Sequence, residues 1–200
     1  MFSLKNKITL VTGAGSGIGA SIAETFARAG AHVYVADRDA RAGGETVERI
    51  KADQASAEFL PLDVSKEEDC ERARQTVQVS FGRLDVLVNN AGIGHVGTML
   101  ETTGADLDRL YAVNVRGTFN VTKVFLPDMV ERKKGVIINL ASIGGVVAVR
   151  DRLAYCATKM PGFTQEIWYN DGEKPTPPEA KQRIKSEVKA GLMFMSEGSE

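Results

Sequence analysis

The chain is poor in cysteine, with two in 200 residues, and no stretch approaches the roughly 18 consecutive apolar residues of a membrane span. Cys70 and Cys156 have no metal-ligand spacing and are too few to staple a fold, so reduced thiols and no metal are expected. An excess of one charge is missing too: 25 Lys and Arg against 26 Asp and Glu leave a formal charge of -1. Such a balance supplies no basic stripe for a nucleic-acid backbone. The opening residues, Met1-Phe-Ser-Leu-Lys-Asn-Lys-Ile-Thr-Leu10, lack the long apolar core of a secretory signal. These absences predict a cytoplasmic chain with neither a membrane nor a nucleic-acid partner. The apolar content of 43% is enough for one domain, 1–200, with a real core.

Glycine is plentiful where it matters. Lys7-Ile-Thr-Leu-Val-Thr12 is a β-branched apolar run that breaks into Gly13-Ala-Gly15-Ser-Gly17-Ile-Gly19. Ile18, Ile22 and Phe26 then recur every four residues up to Gly30, which predicts an amphipathic helix with a glycine stop. Strand, glycine turn and helix together form an anion site. Side chains in the turn would hold the backbone off a pyrophosphate, and the helix start adds free N–H groups and a positive dipole end. A second strand, His32–Ala36, ends in Asp37, at the spacing where an acid accepts hydrogen bonds from the adenosine ribose. A carboxylate there repels a 2′-phosphate and favours NAD over NADP. Arg38 could instead neutralise such a phosphate or lie over the adenine.

The alternation continues. Helical spacing over Ala40–Lys51 precedes a strand-like Glu58–Val64, and Cys70, Ala73, Val77 and Phe81 mark a helix over Lys66–Ser80. Leu84–Val88 reads as a fourth strand, ending in Asn89-Asn90-Ala91-Gly92. The longest helix is expected from Ala105 to Arg132, with Leu107, Tyr111, Asn114, Thr118, Val121 and Phe125 as its buried seam. Val136–Ala141 is a fifth strand, near-continuously apolar as in a sheet covered on both faces. Strands alternating with helices predict an α/β doubly wound parallel sheet of Rossmann type. Ligands of such sheets sit outside the carboxyl ends of the strands, so Thr12, Asp37, Asp63, Asn89 and Ser142 are expected along one edge.

Ser142 opens a stretch that leads to Tyr155 and Lys159, a phenol and an amine four residues apart. On a helix they share a face, and a cation beside a phenol favours the phenolate. Hydride transfer from an alcohol requires its proton to leave as well, and such a phenol is a suitable acceptor. Asn114 lies in a buried seam, where an amide satisfied by backbone is the plain structural account.

These motifs, in this order, resemble the short-chain dehydrogenase/reductase family over about residues 7–159. Thr12–Gly19 is similar to its cofactor loop, Asp63-Val64 to its adenine-contacting pair and Asn89–Gly92 to its strand-end motif. The resemblance implies NAD contacts from Gly13, Ser16, Gly17, Ile18, Gly19, Asp37, Arg38, Asp63, Val64, Asn90, Ala91, Gly92, Tyr155 and Lys159. It implies a catalytic set of Asn114, Ser142, Tyr155 and Lys159: Tyr155 as general acid–base, Lys159 on the nicotinamide ribose, Ser142 on the substrate oxygen and Asn114 holding a relay water. The implied reaction is hydride transfer between NAD and a secondary alcohol or ketone, in a homo-oligomer, dimer or tetramer. An NAD-binding module without a complete substrate pocket is the alternative.

Residues 160–200 depart from the family. Met160-Pro161-Gly162 should end or kink the helix carrying Lys159, since proline inside a helix costs about 3 kcal/mol or more. Gly162-Phe-Thr164 is similar to a family motif but stands about two residues too close to Lys159, a rotation of about 200° on a helix. The family's last strands are missing from this segment. Asn170–Ala180 reads as a proline-rich linker, and Ala180, Ile184, Val188 and Leu192 as one narrow helical stripe. Gly94-His95-Val-Gly97 and Arg150-Asp-Arg152 border the expected pocket. They point to a polar substrate, with surface charge an equally good account.

Overall fold

Leu10 and Val11 are neighbours on the first strand, and they face opposite cores. In the computed structural model, which describes residues 3–159 and the backbone of 167–169, Leu10 packs with Tyr34, Leu87, Val121 and Phe125. Val11 packs with Ala23, Val33, Val47 and Val88. The period-2 alternation of a strand makes both faces of the sheet apolar, so helices must cover both. The elements run β1 (Ile8–Thr12), α1 (Gly17–Arg28), β2 (His32–Asp37), α2 (Ala40–Ala52), β3 (Ser56–Pro61), α3 (Glu67–Phe81) and β4 (Val86–Asn89). They continue with α4 (Gly104–Tyr111), a π-helical segment (Ala112–Gly117), α5 (Thr118–Glu131), β5 (Gly135–Asn139), a 3₁₀ turn (Ile143–Gly145), α6 (Leu153–Thr158) and β6 (Ile167–Tyr169). These elements belong to one compact unit, Met1–Tyr169.

The sheet order is β3-β2-β1-β4-β5-β6, and the first five strands are parallel. This is the expected doubly wound sheet. Its order reverses between β1 and β4, so their carboxyl ends diverge into a crevice. β6 pairs antiparallel with β5, Ile137 opposite Ile167, and was not anticipated. The expected motif at 162–164, the linker 170–180 and the following helical stripe lie outside the described residues.

Three expectations need correcting. The buried face of α1 is Gly19, Ala20, Ala23 and Ala27; Ile22 and Phe26 pack against the core beside it as expected, whereas Ile18 is 68% exposed. Small residues let this helix lie close on the sheet, which outweighs the isoleucine periodicity. β3 ends at Pro61, which cannot donate to a ladder, so Asp63 and Val64 stand in the loop beyond it. The long helix of 105–132 is interrupted by the π segment. Each π turn takes in an extra residue and turns the following face by about 100°. The phase of the expected seam therefore fails on its amino-terminal side: Leu107 and Tyr111 are 43% and 47% exposed and Leu110 is buried instead. Past the π segment, Val121 and Phe125 are buried as expected. In α3, Cys70, Ala73 and Val77 are buried, while Phe81 lies at the rim against the rings of His32 and Tyr34.

Candidate active site

The glycine turn is held from β4. Asn90 Nδ2 donates to the carbonyls of Thr12 (2.9 Å) and Gly13 (3.2 Å). Thr12 Oγ1 accepts from the N–H groups of Asn90 and Ala91, both at 3.0 Å, and donates to the Val88 carbonyl. A Cβ on Gly19 would meet the Gly13 carbonyl oxygen at 2.2 Å, so only glycine permits this approach. Gly17, by contrast, has φ +55° and no protein atom within 4 Å of where its Cβ would be. It opens α1, whose start carries no side-chain cap and no acidic residue in its first turn. This open cradle at a helix amino terminus fits a pyrophosphate. Thr46 tightens the turn from behind by donating to the Gly15 carbonyl at 3.1 Å.

At the end of β2, Asp37 accepts from the N–H of Gly15 (2.9 Å) and of Asp39 (3.0 Å), one on each carboxylate oxygen. A carboxylate has about four acceptor positions, so capacity for ribose hydroxyls remains. Partial burial pushes the Asp63 carboxyl up. The Ser65 hydroxyl and N–H, with Lys66 and Arg38 nearby, outweigh that and hold it below the usual carboxylate range.

The other half of the site is carried by the π segment and α6. Asn114, 6% exposed, accepts from the Ile93 N–H (2.8 Å) and donates to the Ile93 carbonyl (3.0 Å) and to Thr158 Oγ1 (2.9 Å). Thr158 in turn donates to the Tyr155 carbonyl at 2.9 Å. Lys159 lies just past the end of α6, its Nζ 3.4 Å from the Leu140 carbonyl it donates to; burial pushes its pKa below the ordinary lysine value. The Cβ position that Gly92 leaves empty is 3.2 Å from Lys159 Nζ and 3.3 Å from Asn114 Oδ1. The corresponding position on Gly144 is 3.5 Å from both Ser142 Oγ and Tyr155 Cε1.

A cleft of about 650 Å³ joins the two halves. Its wall includes every expected cofactor residue except Gly17: Gly13, Ser16, Ile18, Gly19, Asp37, Arg38, Asp63, Val64, Asn90, Ala91, Gly92, Tyr155 and Lys159. Ser142 and Asn114 are not part of that wall. Ser142 lies beyond the end of β5 and caps the 3₁₀ turn by accepting from Gly144 N–H at 3.2 Å. Asn89 is turned inward, where it donates to Thr122 and Asn139, and is absent from the wall. Sequence reading passed over the bracing threonines Thr46 and Thr158. Thr158 stands between Tyr155 and Lys159, whereas Thr46, eight residues past Arg38, carries no such mark.

Comparison with known proteins decides the relationship. A family model described as short chain dehydrogenase matches residues 7–167. The chain belongs to the short chain dehydrogenase family. An uncharacterized oxidoreductase of Thermotoga maritima is 41% identical over 167 residues, covering 82% of this chain and 66% of that protein. A metagenomic short-chain oxidoreductase solved in complex with NADP is 36% identical, covers 78% of this chain and 72% of its own, and superposes with a TM-score of 0.75. A short chain dehydrogenase/reductase from Burkholderia phymatum, solved with NAD, has a TM-score of 0.76 at 32% identity, covering 80% of this chain and 57% of its own. The chain spans 61–66% of the length of three curated relatives it matches. No described helix is long and apolar enough to cross a membrane.

Proposed function

We propose that this short chain dehydrogenase is an NAD-dependent oxidoreductase that interconverts a secondary alcohol and a ketone. One observation carries the reading: a single cleft is walled at one end by the glycine turn and Asp37, and at the other by Tyr155 and Lys159. When bound, NAD supplies the hydride acceptor for the alcohol carbon, and its reduced form the donor for the ketone. The residues of the chain do the rest. The start of α1 and the Gly17 cradle hold the pyrophosphate, and Asp37 accepts from the ribose hydroxyls and repels a 2′-phosphate. Tyr155 receives the alcohol proton during oxidation and returns it during reduction. Lys159 places an amine beside Gly92 in the cleft wall and would hold the nicotinamide ribose. Asn114 and Thr158 hold the α6 backbone against Ile93 in the loop that follows β4.

A second reading, an NAD-binding module without turnover, is favoured by Ser142, whose oxygen already accepts from Gly144 N–H and which is not part of the cleft wall. One experiment separates them. Full-length chain is titrated with NADH and assayed on a panel of secondary alcohols and ketones, alongside Tyr155→Phe. The enzyme reading expects turnover that Tyr155→Phe abolishes, with NADH affinity nearly unchanged. NADH binding without turnover selects the module, and loss of NADH binding in Tyr155→Phe removes Tyr155 from the chemical step.

A further inference from the structure

Strand order fixes which end of the cleft is which. Asp37, Arg38 and Asp63 follow β2 and β3, while Ile93 and Gly94 follow β4 and Arg152 follows β5. Arg152 therefore stands at the Tyr155 end, away from the adenosine side. Its Nη1 is 3.5 Å from the Cβ position left empty by Gly94.

The backbone beneath that side chain is fixed from three directions. Arg152 N–H donates to the Val149 carbonyl at 3.2 Å, and its carbonyl accepts from Cys156 N–H at 2.8 Å. Gly97 bridges to it in parallel and donates to the Asp151 carbonyl at 2.9 Å. The guanidinium, however, has no hydrogen-bond or ion-pair partner among the described residues. Arg49, Arg74, Arg83 and Arg132 each hold a carboxylate. His95, on the facing loop, is engaged with Thr102 and Asp106 and offers Arg152 nothing. A positioned guanidinium left unpaired in a cleft wall is a recognition group: its planar fork matches a carboxylate bidentately.

We propose that Arg152 binds the carboxylate of the substrate, which makes the substrate a short hydroxy acid and the product its oxo acid. This rests on the reading of the cleft as an alcohol/ketone site. Arg152 is the N-cap of α6 and Tyr155 its third residue, and both wall the same end of the cleft, so one small molecule can present its carboxylate to the first and its carbinol to the second.

The test uses full-length chain, acetoacetate as the probe and 2-pentanone as its neutral counterpart, titrated by calorimetry with and without NAD⁺, so that no hydride transfer is possible. Acetoacetate should bind about tenfold or more tighter than 2-pentanone. Arg152→Met should erase that preference and leave 2-pentanone and NADH affinity unchanged, and Arg152→Lys, a point charge without the fork, should keep only part of it. Equal binding of the two probes by the unaltered chain overturns the proposal, as does a preference that survives Arg152→Met. So does Arg152→Met weakening both probes alike or weakening NADH. Oxidation of 3-hydroxybutyrate and 2-pentanol with NAD⁺ is measured separately. Charge-selective binding without any turnover sinks the oxidoreductase reading and leaves Arg152 as assigned. Turnover of 2-pentanol without an Arg152-dependent preference does the reverse.

Discussion

Asp37 and Asn89 both end strands, and the sequence gives no local reason to separate them. The fold does: Asp37 turns its carboxylate into the cleft, and Asn89 turns its amide inward between Thr122 and Asn139. Side chains on a strand alternate, so a shift of one residue decides which of two adjacent polar groups reaches a ligand. That is why Asn90, next along, faces the glycine turn and clamps it. The Asp37 role can be measured directly. Asp37→Ala should weaken NAD by about tenfold more than NADP, read by fluorescence titration of both reduced cofactors. Equal losses would leave Asp37 as a brace for Gly15 alone. Burial pushes the Cys70 thiol up to about 12, so it stays protonated in the core at neutral pH.

Among the elements, the glycine turn and the strand–helix alternation were legible because each is marked by residues close in sequence. The π segment was not, because one extra residue in a helical turn leaves no compositional trace. Its consequence is visible only in packing. Gly117 closes the segment, and a Cβ there would lie 2.5 Å from Val64 Cγ2 and 3.0 Å from Val64 Cβ. Valine is stiff at χ1 and cannot swing clear. Gly117→Ala should therefore cost about 1–3 kcal/mol in urea unfolding, the usual range for overpacking. Val64→Ala should restore most of it in the double variant, and simple additivity would show that the two residues do not press on each other. Val64 also walls the cleft, so this contact links the π segment carrying Asn114 to the adenosine side. α6 carries Tyr155 as expected, but it ends at Thr158, so Lys159 stands just past the helix and does not share a helical face with Tyr155.

The molecule as a whole divides its stability unevenly. Lys159 is a source of strain: burial lowers its pKa in the folded protein from the ordinary 10.5. Between that lowered value and 10.5 the unfolded chain binds more protons, so this residue makes stability rise with pH across the window. Lys159→Met should be the more stable form at neutral pH, and its advantage should shrink as pH approaches 10.5. Urea midpoints of both proteins across that range check the sign, and an advantage that grew with pH would contradict it. The nucleotide side rests on five parallel strands with a core on each face. Tyr155 instead rides on six helical residues, far below the roughly 12–15 at which a helix holds itself in water. Its ties include the buried Ala154, Thr158 and Lys159, the Thr158–Asn114 bond and the Lys159–Leu140 bond. Amides of 156–159 should accordingly exchange with deuterium orders of magnitude faster than those of β1 and β4, through local opening that leaves the sheet intact. Among the described residues, α6 is thus expected to open ahead of the sheet, and a ligand gripping Tyr155 and Lys159 together would be the splint that keeps it closed.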